Sequence, residues 1–187
     1  MPAILDVQAA NFIGNLCDAE RQDGFLSVKF TRQQFEEMAS HVGVIIAAAE
    51  GGLAGYLCAS SCEFNQSFPL LAAMMRQFNA MDYRGRSLAS SRVFIYGPVC
   101  IDRSYRGQGL LRGLYETLLQ EVVGRYDIGV AFVAGDNPHS LRVHMDGLGM
   151  THVGEFTFSG KQYRILAFDV RSGNGNGAAS KPTAEEP

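Results

Sequence analysis

The strongest constraint on the fold of this chain is a strand–helix–strand pattern between residues 92 and 134. Residues 92–101 (RVFIYGPVCI) are rich in β-branched and aromatic side chains, which is typical of a buried strand. Residues 110–123 carry paired apolar positions at the spacing of one helix face, and Gly124 marks the end of that helix. Residues 128–134 (IGVAFVA) predict a second buried strand. Because a helix that connects two strands brings them side by side in parallel, the pattern predicts a parallel pair.

The rest of the chain predicts a mixed α/β fold of the α+β kind. Predicted helices cover residues 9–21, 31–40 with Thr31 as N-cap, 69–81 and 138–146; predicted strands cover residues 41–49, 53–62, 152–158 and 162–170. Glycine-containing turns at residues 50–52 and 159–161 join these strands into two hairpins. We therefore expect a mostly antiparallel, twisted sheet flanked by helices, with one parallel pair inside it.

Composition limits the class of protein. The chain has 187 residues, and at about 150 residues per domain this predicts one domain, which we place at residues 1–171. Residues 172–187 (SGNGNGAASKPTAEEP) contain no large apolar side chain, so we expect a flexible tail. Sixteen Lys and Arg against 19 Asp and Glu give a net charge of −3, which argues against nucleic-acid binding. No membrane span or signal peptide is predicted, so we expect a cytoplasmic protein.

A metal site is not expected from the spacing of potential ligands. The four cysteines form no CxxC pair, and the four histidines form no HxxxH pair. We interpret the four cysteines as reduced core residues.

The segment that carries chemistry lies at residues 105–110 (YRGQGL), between the first strand and the helix of the crossover. The unpaired amides of a helix N-terminus attract anions, and glycines at positions 107 and 109 let a phosphate approach the backbone. Arg106 adds a cation for a charge-assisted contact. The alternative is a tight turn without a ligand. A similar stretch, residues 83–86 (YRGR), precedes no amphipathic helix and predicts a solvated turn.

Two sequence blocks resemble the GNAT superfamily of N-acetyltransferases. Residues 99–111 (VCIDRSYRGQGLL) resemble its acyl-CoA-binding motif, a hydrophobic strand followed by Arg/Gln-x-x-Gly-x-Gly/Ala at a helix start, although Leu111 stands where a small residue is usual. Residues 137–144 (NPHSLRVH) look like the superfamily's Asn-x-x-Ala-x-x-Leu-Tyr helix, with His144 in place of the tyrosine.

The resemblance implies a site between two splayed parallel strands that binds acetyl-CoA as cosubstrate. Gly97-Pro98 fits the bulge that opens this splay, although it could instead end a shorter strand. The residues implied in acetyl-CoA binding are Val99, Cys100 and Ile101 along the pantetheine arm, and Arg106, Gly107, Gln108, Gly109, Leu110 and Leu111 around the pyrophosphate. Asn137 would contact the arm, or it only caps the helix that it precedes.

The implied activity is transfer of an acetyl group from acetyl-CoA to a primary amine of a small molecule or peptide, by direct attack on the thioester. His144 would act as general acid toward the leaving thiolate, or it is a packed residue without a role. Nothing in the sequence lowers the pKa of Cys100, which disfavours an acyl-enzyme. The candidates for a base are Glu63, Asp102 and Glu155, with Tyr96 able to orient a water.

Two other functions stay open at this stage. One is acyl transfer to a hydroxyl group, and the other is a non-catalytic, GNAT-shaped module that binds acyl-CoA. We also hypothesise that residues 65–91 wall the acceptor site, because methionine-rich segments adapt to ligands. A monomer and a homodimer are both compatible with the sequence.

Overall fold

Residues 2–170 are described by a computed structural model, and the expected tail at 172–187 lies outside them. The strands are β1 Gly43–Ala49, β2 Gly52–Ser61, β3 Asp82–Tyr83, β4 Arg86–Ser87, β5 Val93–Ile101, β6 Ile128–Ala134, β7 Thr151–Phe158 and β8 Lys161–Asp169. The helices are α1 Pro2–Asn11, α2 Asp18–Arg21, α3 Arg32–His41, α4 Cys62–Asn65, α5 Pro69–Met75, α6 Leu110–Val122 and α7 Pro138–Arg142. The domain limit at residue 171 stays a prediction.

The main sheet has six strands in the order β1-β2-β5-β6-β8-β7, and only β5 and β6 run parallel. This confirms the mostly antiparallel sheet and the crossover through α6. The parallel register is short, because it pairs only Val93, Phe94 and Ile95 of β5 with β6. Beyond Ile95 the two strands separate, and the resulting splay opens toward α6.

A bulge at Gly97 and Pro98 lies where the splay begins. Across β2, Leu57 pairs with Val99 while Ala59 pairs with Tyr96, so two residues of β5 stand opposite one residue of β2. Gly97 has φ +107°, a conformation that side-chain-bearing residues rarely adopt. The bulge shifts the alternation of β5, and we expect main-chain groups near Val99 to be freed from regular pairing.

Helices cover both faces of the sheet. On one face α6 packs on a core that includes Leu57, Phe94 and Leu166, all fully buried. On the other face, α1 and α3 pack on the β1–β2 side and α5 packs on the β6–β8 side. Among residues 2–170 no helix combines the length and the hydrophobicity needed to cross a bilayer.

The first helix is the main correction to the predicted elements. A helix over residues 9–21 was expected, but α1 begins at Pro2 and ends at Asn11, and α2 is a separate turn of helix. The break follows from a tertiary contact: Phe12 forms a parallel bridge with Leu26, and the Leu26 amide donates to the Asn11 carbonyl at 2.9 Å. By contrast, Thr31 caps α3 through the amide of Gln34, as predicted.

Other predicted boundaries are also wrong. The strand predicted over residues 53–62 ends one residue early, because the Ser61 side chain caps α4 and places Cys62 in a helix. The helix predicted over residues 69–81 ends at Met75. The helix predicted over residues 138–146 ends at Arg142 and continues as one π-helical turn, Val143–Gly147.

The stretch at residues 83–86 is a turn, as predicted, but it is not a purely solvated one. It joins β3 to β4, and the Tyr83 side chain is buried in the core. Arg84 and Arg86 both pair with Asp169 at the end of β8. The two arginines therefore fasten this hairpin to the main sheet, since a carboxylate bound by two guanidinium groups joins the elements that carry them.

Candidate acetyl-CoA site

A cleft of about 490 Å³ lies beside the start of α6. Its walls are the end of β5, the first turn of α6, the α7 region and residues 23–26, a segment that we call the strap. At the splay, the cleft shares lining residues with a smaller chamber of about 100 Å³. Phe25, Leu26, Val99, Ser140 and His144 line both spaces.

The turn before α6 presents a row of free backbone donors. Gly107 and Gly109 have φ values of +73° and +80°, and Gly109 is the N-cap of the helix. The first bond of the helix joins the Gly113 amide to the Gly109 carbonyl. Within residues 2–170, the amides of residues 107–112 donate to no protein acceptor. Free amides at a helix N-terminus attract an anion, so this turn can hold a phosphate.

Arg106 is hydrogen bonded within the protein through both its amide and its guanidinium. Its amide donates to the Arg103 carbonyl at 3.3 Å, so it is not one of the free donors. Its guanidinium is also engaged, because it donates to the carbonyl of Ile101 at 3.2 Å, to the carbonyl of Asp23 at 3.0 Å and to Oδ1 of Asn11 at 2.7 Å. These contacts direct the cation at the strap and at α1 rather than at the phosphate turn. The contact between Arg106 and a phosphate that the resemblance implied stays a prediction.

Asn137 is buried and uses both ends of its side-chain amide. Oδ1 accepts from the Ser140 amide at 3.1 Å, which confirms the predicted helix cap. Nδ2 donates to the Phe25 carbonyl in the strap at 3.1 Å. Asn137 also lines the chamber, so the contact with the CoA arm implied by the resemblance stays a prediction.

His144 and Tyr96 line the chamber together, and both are at least 95% buried. His144 Nδ1 lies 2.7 Å from the Ser140 carbonyl, which only accepts, so Nδ1 carries the proton and Nε2 keeps its lone pair. Burial lowers the pKa of His144, an effect that the Ser140 hydrogen bond partly offsets and that His139 reinforces. The Tyr96 ring meets the imidazole edge-on with centroids 5.5 Å apart, and its hydroxyl has no partner among the described residues.

Cys100 lies at the cleft but has the properties of a core residue. Burial raises the pKa of its thiol to about 12, although nearby Arg106 partly opposes this. Its Sγ atom lies 3.9 Å from the Val7 carbonyl. A thiolate is the nucleophilic form of cysteine, so these features disfavour a covalent acyl-enzyme. The flanking residues Val99 and Ile101 also line the cleft, and the contact of all three residues with the pantetheine arm stays a prediction.

Sequence reasoning missed Arg112 and the strap. Arg112 lines the cleft one turn into α6, with an exposed side chain that donates to the Gly147 carbonyl at 2.6 Å. The sequence signal was its place three residues after Gly109, where a cation on the first helical turn lies near any bound anion. The strap carries no motif. Of the segment at residues 65–91, only Leu71 lines the chamber.

The candidate bases do not meet at the chamber. Glu63, Asp102 and Glu155 do not line it, and its titratable lining residues within 2–170 are Tyr96 and His144. The part of the chain that the structure describes also brings no three His, Cys, Asp or Glu side chains together as a metal-binding group. Acid–base chemistry inside the chamber therefore depends on the tyrosine, the histidine or a bound water.

Several solved structures have a similar fold. The smu.2055 protein of Streptococcus mutans UA159 gives a TM-score of 0.57 at 16% identity, over 91% of this chain and 96% of that one. The yncA protein of Salmonella typhimurium, solved with its cofactor acetyl-CoA, gives 0.56 at 16% identity over 95% and 92%. A ribosomal-protein-alanine N-acetyltransferase from Brucella melitensis gives 0.57 at 17% identity over 90% and 93%.

The comparison by sequence identifies the family. No curated protein matches the chain significantly. Residues 10–150, however, match the sequence profile of the Acetyltransferase (GNAT) family, and this range contains both the glycine turn before α6 and the α7 region. The chain therefore belongs to the GNAT acetyltransferase family.

Proposed function

We propose that this protein transfers an acetyl group from acetyl-CoA to a primary amine of a small molecule or a peptide. The observation that carries the proposal is the row of free amides at residues 107–112, at the mouth of a cleft that ends in a chamber lined by His144 and Tyr96. A diphosphate fits the amides, and the splay between β5 and β6 offers a path from them to the chamber. Gly107, Gln108, Gly109, Leu110 and Leu111 would hold the diphosphate.

Arg112 supplies the cation that the turn otherwise lacks. The Arg106 guanidinium makes three hydrogen bonds away from the turn. The Arg112 side chain is exposed in the cleft, where it donates to the Gly147 carbonyl at 2.6 Å and lies 3.9 Å from Glu116. A guanidinium within reach of a diphosphate adds charge-assisted contacts. We therefore assign the ionic contact with the diphosphate of acetyl-CoA to Arg112 and the hydrogen bonds that orient the diphosphate to the backbone amides.

His144 suits the removal of a proton from the attacking amine. An amine with pKa of about 10.4 is neutral in only about one molecule per thousand at pH 7.5, so its attack depends on proton removal. The buried imidazole is neutral near pH 7, with its free lone pair on Nε2. Because burial keeps this ring neutral near pH 7, it is available to accept a proton, and we therefore propose it as the base rather than as the general acid that the resemblance implied.

Tyr96 is the group able to protonate the departing sulfur. The amine nitrogen bonds to the carbonyl carbon, the carbon–sulfur bond breaks, and the thiolate needs a proton. The Tyr96 hydroxyl is buried at the chamber without an acceptor in the described chain, and burial raises its pKa. It therefore stays protonated and is free to donate to the sulfur. Proton return from His144 through the chamber restores the starting state.

A ligand screen followed by a turnover assay tests the proposal. At 100 times the Kd, binding of acetyl-CoA adds about 2.7 kcal/mol, or roughly 5–10 °C in Tm for a chain of this size. NAD, which lacks the pantetheine arm and the thioester, is the control and should give a much smaller shift. Release of free CoA thiol is then measured with a panel of amines and matched alcohols.

The outcomes separate the candidate functions. Thiol release with amines and not with alcohols supports N-acetyl transfer. A large acetyl-CoA shift without turnover on any acceptor indicates the non-catalytic acyl-CoA-binding module instead. Equal responses to acetyl-CoA and NAD would contradict the proposed donor site.

A further inference from the structure

We propose that Arg106 and Asn137 act on the donor cleft indirectly, by anchoring the strap across it. The two residues belong to the two sequence blocks that resemble CoA-contacting motifs, and they come from opposite walls of the cleft. Arg106 binds one end of the strap through the Asp23 carbonyl, and Asn137 binds the other end through the Phe25 carbonyl. They are positioning residues.

Gly24, between these anchors, shows how closely the strap lies on the α7 region. It has φ +91°, and a Cβ built there would stand 3.3 Å from His139 Cδ2 and 3.7 Å from Asn137 Oδ1. Only glycine combines this backbone conformation with so close an approach at little cost. The strap therefore rests directly on the wall that carries His144, and all four strap residues line the cleft.

The same anchors join the strap to the rest of the N-terminal segment. Arg106 also binds Oδ1 of Asn11 at the end of α1, and the Asn11 carbonyl accepts from the Leu26 amide at 2.9 Å. One guanidinium therefore holds β5, α1 and the strap in a fixed relation. Because the strap lines the cleft where it passes into the chamber, its position determines how tightly the pantetheine arm is enclosed.

This placement gives Arg106 and Arg112 different signatures. A residue that binds phosphate affects acetyl-CoA but not S-acetylpantetheine, a donor without the nucleotide diphosphate. A residue that positions the strap affects both donors equally, because both carry the pantetheine arm. This part of the proposal rests on the proposed donor site, whereas the state of the strap is measured without any ligand.

The first test is hydrogen exchange on the unliganded protein. In Arg106→Gln, we expect exchange over residues 22–28 to accelerate at least tenfold, since the Leu26 amide donates to the Asn11 carbonyl, a contact between two segments that Arg106 holds together. The control is Arg125→Gln, which removes a charge and a bond to the His41 carbonyl beyond the far end of α6. It should leave this segment unchanged. Unchanged exchange in Arg106→Gln would overturn the proposal.

Asn137→Asp provides a second variant that keeps the helix cap. Its carboxylate still accepts from the Ser140 amide, so α7 should stay protected. It no longer donates to the Phe25 carbonyl, and we expect faster exchange in the strap alone. Protection of the strap equal to that of the wild type would contradict its assignment as an anchor.

The second test compares kcat/KM for the two donors. Arg106→Gln should lower kcat/KM by the same factor, at least fivefold, with acetyl-CoA and with S-acetylpantetheine. Arg112→Gln should lower it only with acetyl-CoA. A loss in Arg106→Gln confined to acetyl-CoA would assign Arg106 to the phosphates and reject the proposal. If the wild type turns over neither donor, the proposed function fails, and the exchange experiment still decides the role of the strap.

Discussion

The free amides of residues 107–112 depend on the conformation of Gly109, and this gives the sharpest prediction. Gly109 has φ +80°, and a Cβ built there meets no protein atom within 4 Å. Gly109→Ala therefore creates no clash within the protein. It costs the strain of a left-handed alanine, about 1–2 kcal/mol, and its methyl group extends into the space where a diphosphate would lie.

The chain offers a matched control at the other end of the same helix. Gly124 has φ +78° and equally open surroundings, but it follows α6 and does not line the cleft. Both alanine variants should lose about 1–2 kcal/mol of unfolding free energy, or about 2–8 °C in Tm. Loss of one charge-assisted contact to the ligand is worth about 1.5–3 kcal/mol, so only Gly109→Ala should bind acetyl-CoA about 10- to 100-fold more weakly.

The assay is titration calorimetry on the two variants and the wild type, after each is shown to melt cooperatively. Because the two substitutions carry the same backbone cost, the difference in Kd between them isolates the ligand contact. Wild-type affinity in Gly109→Ala would refute the assignment of this turn to the diphosphate. An equal loss in both variants would show that the effect arises from stability alone.

Three further predictions concern the cleft and the chamber. His144→Gln should lower kcat/KM at least 100-fold. Because burial lowers the pKa of His144, kcat/KM of the wild type should rise with pH to a plateau, with a midpoint below 6.5. The variant should not show this rise. A variant with the wild-type pH profile would remove His144 from proton transfer. Arg112→Gln should bind acetyl-CoA several-fold more weakly, and its Kd should change less with salt concentration, because the substitution removes an ionic contact that salt screens. An unchanged salt dependence of Kd would exclude a contact between Arg112 and a phosphate. Iodoacetamide at pH 8 should label Cys17, which is exposed, and not Cys100, because burial raises the pKa of the Cys100 thiol to about 12. Mass spectrometry of the protein labelled in its native state measures both, and fast labelling of Cys100 would contradict its placement in the core.

The fold was predictable from the sequence where a local pattern of residues determines the structure of the same segment. The crossover from β5 through α6 to β6 follows from two runs of strand-forming residues and one amphipathic helix, and the structure confirms all three. Both hairpins follow from their turn glycines in the same way. The helix predicted over residues 9–21 failed because its end depends on the bridge between Phe12 and Leu26, which no local pattern encodes.

The candidate site shows the same difference between local features and long-range contacts. The free amides were predictable, because positive φ at two glycines and the start of a helix are local properties of residues 107–110. The cap formed by Asn137 is local too and was predicted, but the long-range partners of the motif side chains were not. Arg106 reaches Asp23, 83 residues away, and Asn137 reaches Phe25, 112 residues away.

This difference has a physical origin that bears on how motif residues are interpreted. A backbone donor points where its own φ and ψ direct it, so a glycine pattern specifies both the group and its direction. A long side chain such as arginine has several rotamers, and the nearest good acceptor decides among them. Here the nearest acceptors are the carbonyls of the strap and β5 and the side chain of Asn11. The residue type at a motif position therefore does not determine its partner, and in this chain Arg106 and Asn137 are bonded to the strap, which lines the cleft.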